Sequence, residues 1–226
     1  MKDNSLFKVG GAASIAMGIL GALVGITYVL LPADQRLGVP AARILPSIAQ
    51  GAMMLKTEFL EMALIGVLGL AVVPAVSELV RAGHEGWVRW MSNLAFLGFA
   101  VMAVSNTFTF GRLPGIAAAY VKGDPATQAA LVPVWRSSLD LHGFWGYGAV
   151  GLWILVLSLV ALRGSGFPKG LAYVGLLAGV LNLLIPVGFL LKQPPLFLYD
   201  SILGGAASCV WFIWAGLVTR RHMPMS

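Results

Sequence analysis

Between Phe7 and Thr219 the chain passes six times through about twenty apolar residues with almost no charge, each run followed by a polar break. A helix rises ~1.5 Å per residue, so runs of this length match the hydrocarbon thickness of a bilayer, and each predicts a membrane-spanning helix. The runs lie at about residues 9–31, 58–80, 90–111, 141–162, 170–191 and 201–219. Only 11% of residues are charged and 58% are hydrophobic, where a soluble domain carries roughly 25% charged residues. The predicted fold is therefore all-α: a polytopic membrane helical bundle forming one domain over residues 1–226, with six transmembrane helices. The first run is too long for a signal-peptide core, which spans about 7–15 residues, and ends in Leu-Leu-Pro-Ala-Asp without a small-x-small cleavage site. It is expected to be a retained first helix.

The net charge is +6, but the basic residues sit at the ends of the runs and form no patch interleaved with aromatics. A nucleic-acid partner is excluded on that ground; the lipid bilayer is the partner that this pattern fits. Lys2, Lys8, Arg81, Arg89, Arg163, Lys169, Arg220 and Arg221 crowd into very short segments. Arg36, Arg43, Lys56, Arg112, Lys122, Arg136 and Lys192 are spread over much longer ones, among acids. The density rule places both termini in the cytoplasm and makes residues 32–57 and 112–140 extracytoplasmic. These two longer loops are rich in Ala, Leu, Ile and Val broken by prolines, which suits short helices lying on the bilayer or capping the bundle. Tyr120 and Trp135 suit an interfacial aromatic position.

Glycine occurs 28 times, often at the spacing that lets helix backbones approach closely inside lipid. The single cysteine, Cys209, excludes an intrachain disulfide and a cysteine metal knuckle; it reads as a small residue in a packed helix. Pro74 predicts a kink in the second helix, and Asn182, shortly before Pro186, predicts an interhelical hydrogen bond. Glu78 is within reach of Arg81 or Arg89. His84 and His222 fall in cytoplasmic segments as solvated residues.

The remaining polar residues gather at the outer end. Glu58 and Glu61 open the second helix on one face, Asp140 and His142 open the fourth, Asp200 opens the sixth, and Asn106, Thr107 and Thr109 close the third. This places a candidate ligand-binding pocket at Glu58, Glu61, Asn106, Asp140, His142, Tyr147 and Asp200. An ionisable group at membrane depth is costly without a partner or water, which singles out Glu61. Glu61 and His142 are the catalytic candidates. Glu58, Glu61, Asp140 and His142 are donors of the type a hard or borderline metal or a proton relay accepts. The competing reading is that Asp140 and Asp200 cap helix N-termini and that Glu61 pairs with Lys56, Arg136 or Lys192. Haem b is disfavoured because only His142 lies near a membrane helix; a metal ion, a lipid or a singly ligated pigment stays open as a cofactor. There is no nucleotide-binding loop, dinucleotide fingerprint or zinc-protease motif.

Residues 142–185 carry a further pattern: His142-Gly143-Phe144 opening a helix, Gly151-Leu152 within it, the turn Arg163-Gly164-Ser165-Gly166-Phe167-Pro168-Lys169, then Leu171, Gly175-Leu176-Leu177 and Gly179. This stretch resembles an uncharacterised bacterial family of six-helix integral membrane proteins, known as a domain of unknown function. The resemblance implies that architecture and a place in the bacterial plasma (inner) membrane, and it brings no activity with it. Two functional readings follow. The first is an accessory subunit, or a binding protein whose outer-leaflet polar pocket receives a lipid, a quinone-like molecule or a peptide partner, other membrane subunits included. The second is a membrane enzyme or proton-coupled transporter with Glu61 as proton acceptor and Asp140 and His142 as metal or substrate ligands.

Overall fold

The computed structural model describes residues 5–36, 39–140, 143–164 and 167–221, with backbone alone at residues 136 and 194–200. Helix is the regular structure throughout the described residues, and six helices are long and apolar enough to cross a membrane. They are α1 (Ser5–Leu30), α3 (Met53–Glu78), α4 (Glu85–Lys122), α6 (Phe144–Arg163), α7 (Lys169–Leu190) and the Ser201–Arg221 portion of α8 (Pro194–Arg221). Two shorter helices, α2 (Ala41–Gln50) and α5 (Pro125–Arg136), occupy the two long connections. Both connections leave from one end of the bundle, here called the loop-bearing end.

Each spanning helix packs against the next in sequence, and α8 closes on α1, so the order α1–α3–α4–α6–α7–α8 forms an antiparallel ring. Small residues set the closeness of these crossings. A Cβ placed on Gly66 of α3 stands 2.8 Å from the Ala103 Cα of α4. One on Gly179 of α7 meets the Gly151 carbonyl of α6 at 2.8 Å, and one on Gly216 of α8 meets the Gly11 carbonyl of α1 at 2.6 Å. Between helices already surrounded by lipid, van der Waals contact at this range is the main attraction.

Aromatic side chains fill the ring. Phe99, Trp153, Phe167, Trp211 and Phe212 are all buried. They meet edge-to-face, with centroids 5.6 Å apart for Trp153–Trp211, 6.3 Å for Phe99–Trp153 and 5.0 Å for Trp211–Phe212. Edge-to-face pairs suit the ring quadrupole. The Trp153 indole N–H donates to Ser77 Oγ at 3.0 Å, and Ser92 Oγ lies 2.7 Å from the same oxygen, tying α6, α3 and α4 together. Asn182 makes the expected interhelical bond, donating to Ser208 Oγ at 2.8 Å as well as to the Ala178 carbonyl within its own helix. Arg81 pairs with Glu78 at 3.1 Å.

Helix bounds differ from those expected in three places. The third run was expected to end at Gly111, but α4 continues through Pro114 to Lys122. Its 38 residues rise ~57 Å, well beyond the ~30 Å of hydrocarbon, so its last turns stand clear of the membrane. Leu113, Ala117 and Tyr120, spaced along one face, hold that extension helical by packing against Ile44, Leu45 and Ile48 of α2, with Leu131 and Trp135 of α5 alongside. Tyr120 thus points into an apolar cap instead of the interface. Helix α3 starts at Met53, placing Glu58 in its second turn, and α8 starts at Pro194, placing Asp200 inside a helix rather than at its N-cap. Asp124, at the start of α5, accepts the Thr127 N–H at 2.8 Å, and hydrogen bonding from Thr127 holds its carboxyl below the usual range.

The crossings make a direct prediction. Gly66→Leu forces α3 and α4 apart and should lower the thermal stability of the purified protein by about 1–3 kcal/mol or more. Gly25→Ala, at an exposed position with no atom within 4 Å of the added carbon, should be neutral or mildly stabilising. Equal melting temperatures for the two variants in detergent would contradict the close-crossing account.

Candidate functional site

At the loop-bearing end the ring is not filled by aromatics. A cleft of about 120 Å³ opens there, lined by Met62 of α3, Met102, Ser105 and Asn106 of α4, Ser138 and Asp140 of the α5–α6 connection, and Gly143, Gly146 and Tyr147 at the start of α6. That volume is enough for roughly four waters. The lining residue Met102 belongs to the same packed core as Phe99, three residues away on α4, and Tyr147 lies six residues from Trp153 on α6.

The start of α6 shapes the wall. Gly143 takes a left-handed conformation, φ 70°, which a side chain rarely tolerates. The next six residues, Phe144–Ala149, wind as a π-helix, with Gly148 N–H donating to the Gly143 carbonyl at 2.9 Å. The widened turn leaves N–H groups without a partner in the helix, and Asp140 accepts two of them, from Trp145 at 3.2 Å and Gly146 at 2.7 Å. Asp140 therefore caps α6 while facing the cleft. π-Helical turns of this kind cluster at functional sites.

The connection carrying Asp140 is held over α4. Ser105 Oγ lies 3.0 Å from Ser138 Oγ, and Asp140 N–H donates to Ser138 Oγ at 3.3 Å. Arg112 reaches Ser137 Oγ at 2.9 Å and the Ser137 carbonyl, and lies over the Phe108 ring. Asn106 donates to the Met102 carbonyl at 2.8 Å. Thr107 and Thr109 bond back to their own helix, to Ala103 and Ser105.

Glu58 and Glu61 share the α3 face that carries Met62. Glu58 lies within electrostatic range of Tyr147, as does Asp140, and Glu58 and Glu61 sense each other. Glu61 Oε1 accepts a long bond from Thr27 of α1 at 3.4 Å, while Oε2 is buried without any hydrogen-bond partner. Of the three cations weighed as ion-pair partners of Glu61, Lys56 forms no such pair, its ammonium standing 4.8 Å from the centroid of the Phe110 ring, and the side chain of Arg136 lies outside those described. Among the described residues, no group of three His, Cys, Asp or Glu side chains has metal-binding geometry.

Of the residues singled out by sequence, Asn106, Asp140 and Tyr147 line the cleft and Glu58 and Glu61 stand beside it. His142 lies outside the described residues, as does His222, and of Asp200 only the backbone is described. Sequence reasoning missed Ser105, Ser138, Gly143 and Gly146 as lining residues. Gly143 and Gly146 flank the aromatic pair Phe144-Trp145, and glycines on both sides of such a pair at a helix start signal an irregular turn.

Length, apolarity and closed packing define a six-span integral membrane protein with a polar cleft at one end. A family model described as a domain of unknown function (DUF4386) matches residues 9–216, and the chain belongs to that family. The match reaches well beyond residues 142–185, where the resemblance was legible, and includes most of α1, both cap helices and most of α8. No curated protein and no solved structure matches the chain.

Removing the Asp140 carboxylate should loosen the α6 start. Asp140→Ala is expected to cost about 1–2 kcal/mol of stability, the usual loss on deleting an N-terminal cap. Asp140→Asn, which keeps an accepting oxygen, should cost less. Thermal unfolding followed by circular dichroism orders the three proteins; an alanine variant as stable as wild type would remove the capping role.

Proposed function

We propose that this protein binds a small amphiphilic ligand, with the ligand's polar head in the cleft and its apolar tail along the lipid-facing helices. The observation that carries the reading is the closed floor. Fully buried Phe99, Trp153 and Trp211 share one packed core with the lining residue Met102, which we read as a closed floor that makes the polar space a blind recess and not one end of a path. A blind recess at one leaflet suits holding a molecule more than conducting one. Phe144 and Trp145, between the lining residues Gly143 and Gly146, are 47% and 40% exposed and supply apolar surface for a tail. Hydroxyl, amide and carboxylate groups in a mostly apolar wall are the composition of small-molecule sites generally.

In this reading the cap of α2 and α5 faces outward and the basic short connections face the cytoplasm of a bacterial cell, so the plasma membrane holds the protein with the cleft in the outer leaflet. The antiparallel packing of α1 on α8 puts Gly11 beside Arg220, so both termini lie at the same end, consistent with this orientation. The folded cap also offers a docking surface for a further membrane subunit, which makes an accessory role compatible with ligand binding.

Native mass spectrometry of the protein released from mild detergent tests the proposal. One amphiphile per chain should survive purification, and Asn106→Phe, which fills the cleft, should reduce its occupancy at least severalfold while leaving the helical circular-dichroism signal intact. Wild-type protein that carries no bound amphiphile, or unchanged occupancy in the filled variant, would rule the proposal out.

A further inference from the structure

The two ends of the bundle differ in charge. The loop-bearing end has seven basic and six acidic residues, whereas the opposite end has eight basic residues and three acids, Asp3, Glu78 and Glu85. These acids are not spread around the ring. Glu78 and Glu85 belong to α3 and α4, where Glu78 already holds Arg81 at 3.1 Å. The neighbouring flank, made by α1, α7 and α8, presents four exposed cations: Lys8, Lys169, Arg220 and Arg221. Helices α1 and α7 contain no acid, and the single acid of α8, Asp200, lies toward its far end. Asp3 lies outside the described residues, and Lys2 beside it in sequence offsets its charge.

Helix packing gathers the four cations. Arg220 lays its stem across α1, since a Cβ placed on Gly11 would stand 2.6 Å from Arg220 Cγ. Lys8 is one turn before Gly11 and two turns before Ile15, whose Cγ1 stands 2.8 Å from a Cβ placed on Gly216 of α8. Lys8 and Arg220 therefore share one crossing. Arg221 is seven residues past Trp214 and ends the same face of α8. Trp214 lies against Gly170 of α7, at 2.8 Å from a Cβ placed there, next to Lys169. On the membrane side of these cations the surface is apolar. Tyr173, one turn after Lys169, is 61% exposed, and Leu217, one turn before Arg221, is 46% exposed.

We infer that this flank binds an anionic phospholipid, its phosphate and headgroup among Lys8, Lys169, Arg220 and Arg221 and its acyl chains along Tyr173 and Leu217. Helix stability does not account for all four cations. Arg220 and Arg221 complement the dipole at the end of α8, but Lys8 and Lys169 stand near the starts of α1 and α7, where the dipole disfavours positive charge. A basic notch between spanning helices, at the level where hydrocarbon gives way to headgroups, is complementary to an anionic headgroup. The arginines can fork onto phosphate oxygens while the lysines act as point charges. The notch lies at the end opposite the cleft, so this inference is independent of the amphiphile reading above.

Two lipids with the same acyl chains separate charge from apolarity. The full-length protein in detergent is titrated with dioleoylphosphatidylglycerol or dioleoylphosphatidylcholine, and one-to-one complexes are counted by native mass spectrometry. The expected result is a preference of about tenfold or more for the anionic lipid, falling to within about twofold in Arg220→Gln/Arg221→Gln. Arg81→Gln/Arg89→Gln, which removes the same charge from the α3–α4 flank of that end, should keep the preference. Should the Arg220/Arg221 variant fail to fold, Lys8→Gln/Lys169→Gln, at exposed positions, is expected to lose most of the preference. Equal affinities in wild type, a preference that survives substitution of the notch, or an equal loss from both flanks would overturn the inference. Displacement of the bound lipid by inorganic phosphate would also overturn it, because the notch would then be a site for a free anion.

Discussion

Hydrocarbon offers no hydrogen-bond partner, and the arrangement of this molecule follows from that constraint. Most buried polar side chains of the bundle are answered from within: Ser77 takes the Trp153 N–H, Asn182 bridges to Ser208, Ser14 donates to the Phe212 carbonyl at 2.6 Å, and Thr219 donates to its own helix at Ala215. The rest of the interior is aromatic and aliphatic. Among the described residues, three buried polar side-chain atoms depart from the rule. Ser158 Oγ and Trp211 Nε1 are buried and unpartnered beside Gly175, where the absence of a side chain lets α6, α7 and α8 close on one another. The third is Glu61 Oε2, and it lies beside the cleft.

The cleft exists because two local irregularities coincide. At the start of α6 the left-handed Gly143 and the wider π-helical turn of Phe144–Ala149 stand beside the cleft. Gly146 then presents no side chain to the gap; a Cβ there would stand 3.1 Å from Met102 Cε and 3.2 Å from the Asp140 carboxylate. The long α4 is the second cause. Because it projects past the membrane to meet α2 and α5, the α5–α6 connection descends along its flank, and Ser138 and Asp140 are laid against Ser105 and Gly146. Cap and cleft are thus one construction: the apolar cluster around Leu45 and Leu113 sets the height from which the connection returns.

Much of this was legible from residue order, and the rest was not for identifiable reasons. Apolar runs near twenty residues report a bilayer directly, so the spans and their antiparallel succession were readable, as were the Asn182 bond and the Glu78–Arg81 pair. The extension of α4 was hidden by Gly111 and Pro114, which end most helices but not one whose next turns carry Leu113, Ala117 and Tyr120 on a face that finds a partner. That partner, α2, is distant in sequence, and local propensity is silent about it. Asn106, Asp140 and Tyr147 were found because polar residues at membrane depth are rare. Ser105 and Ser138 were passed over because serine alone carries no signal, and their pairing depends on the return path of the connection.

The same constraint gives the acids their significance. A carboxylate that only caps a helix is satisfied by that helix, as Asp140 is, and its charge is incidental. Glu58 and Glu61 lie past the first turn of α3, cap nothing, and have cations nearby in sequence that the fold directs to aromatic rings and backbone carbonyls. Lys56 is two residues before Glu58, yet its ammonium stacks on Phe110 of α4. Leaving two carboxyls without an ion pair where lipid begins is unfavourable for folding unless they take up a proton or meet water or a partner, and both stand beside the polar recess at the loop-bearing end.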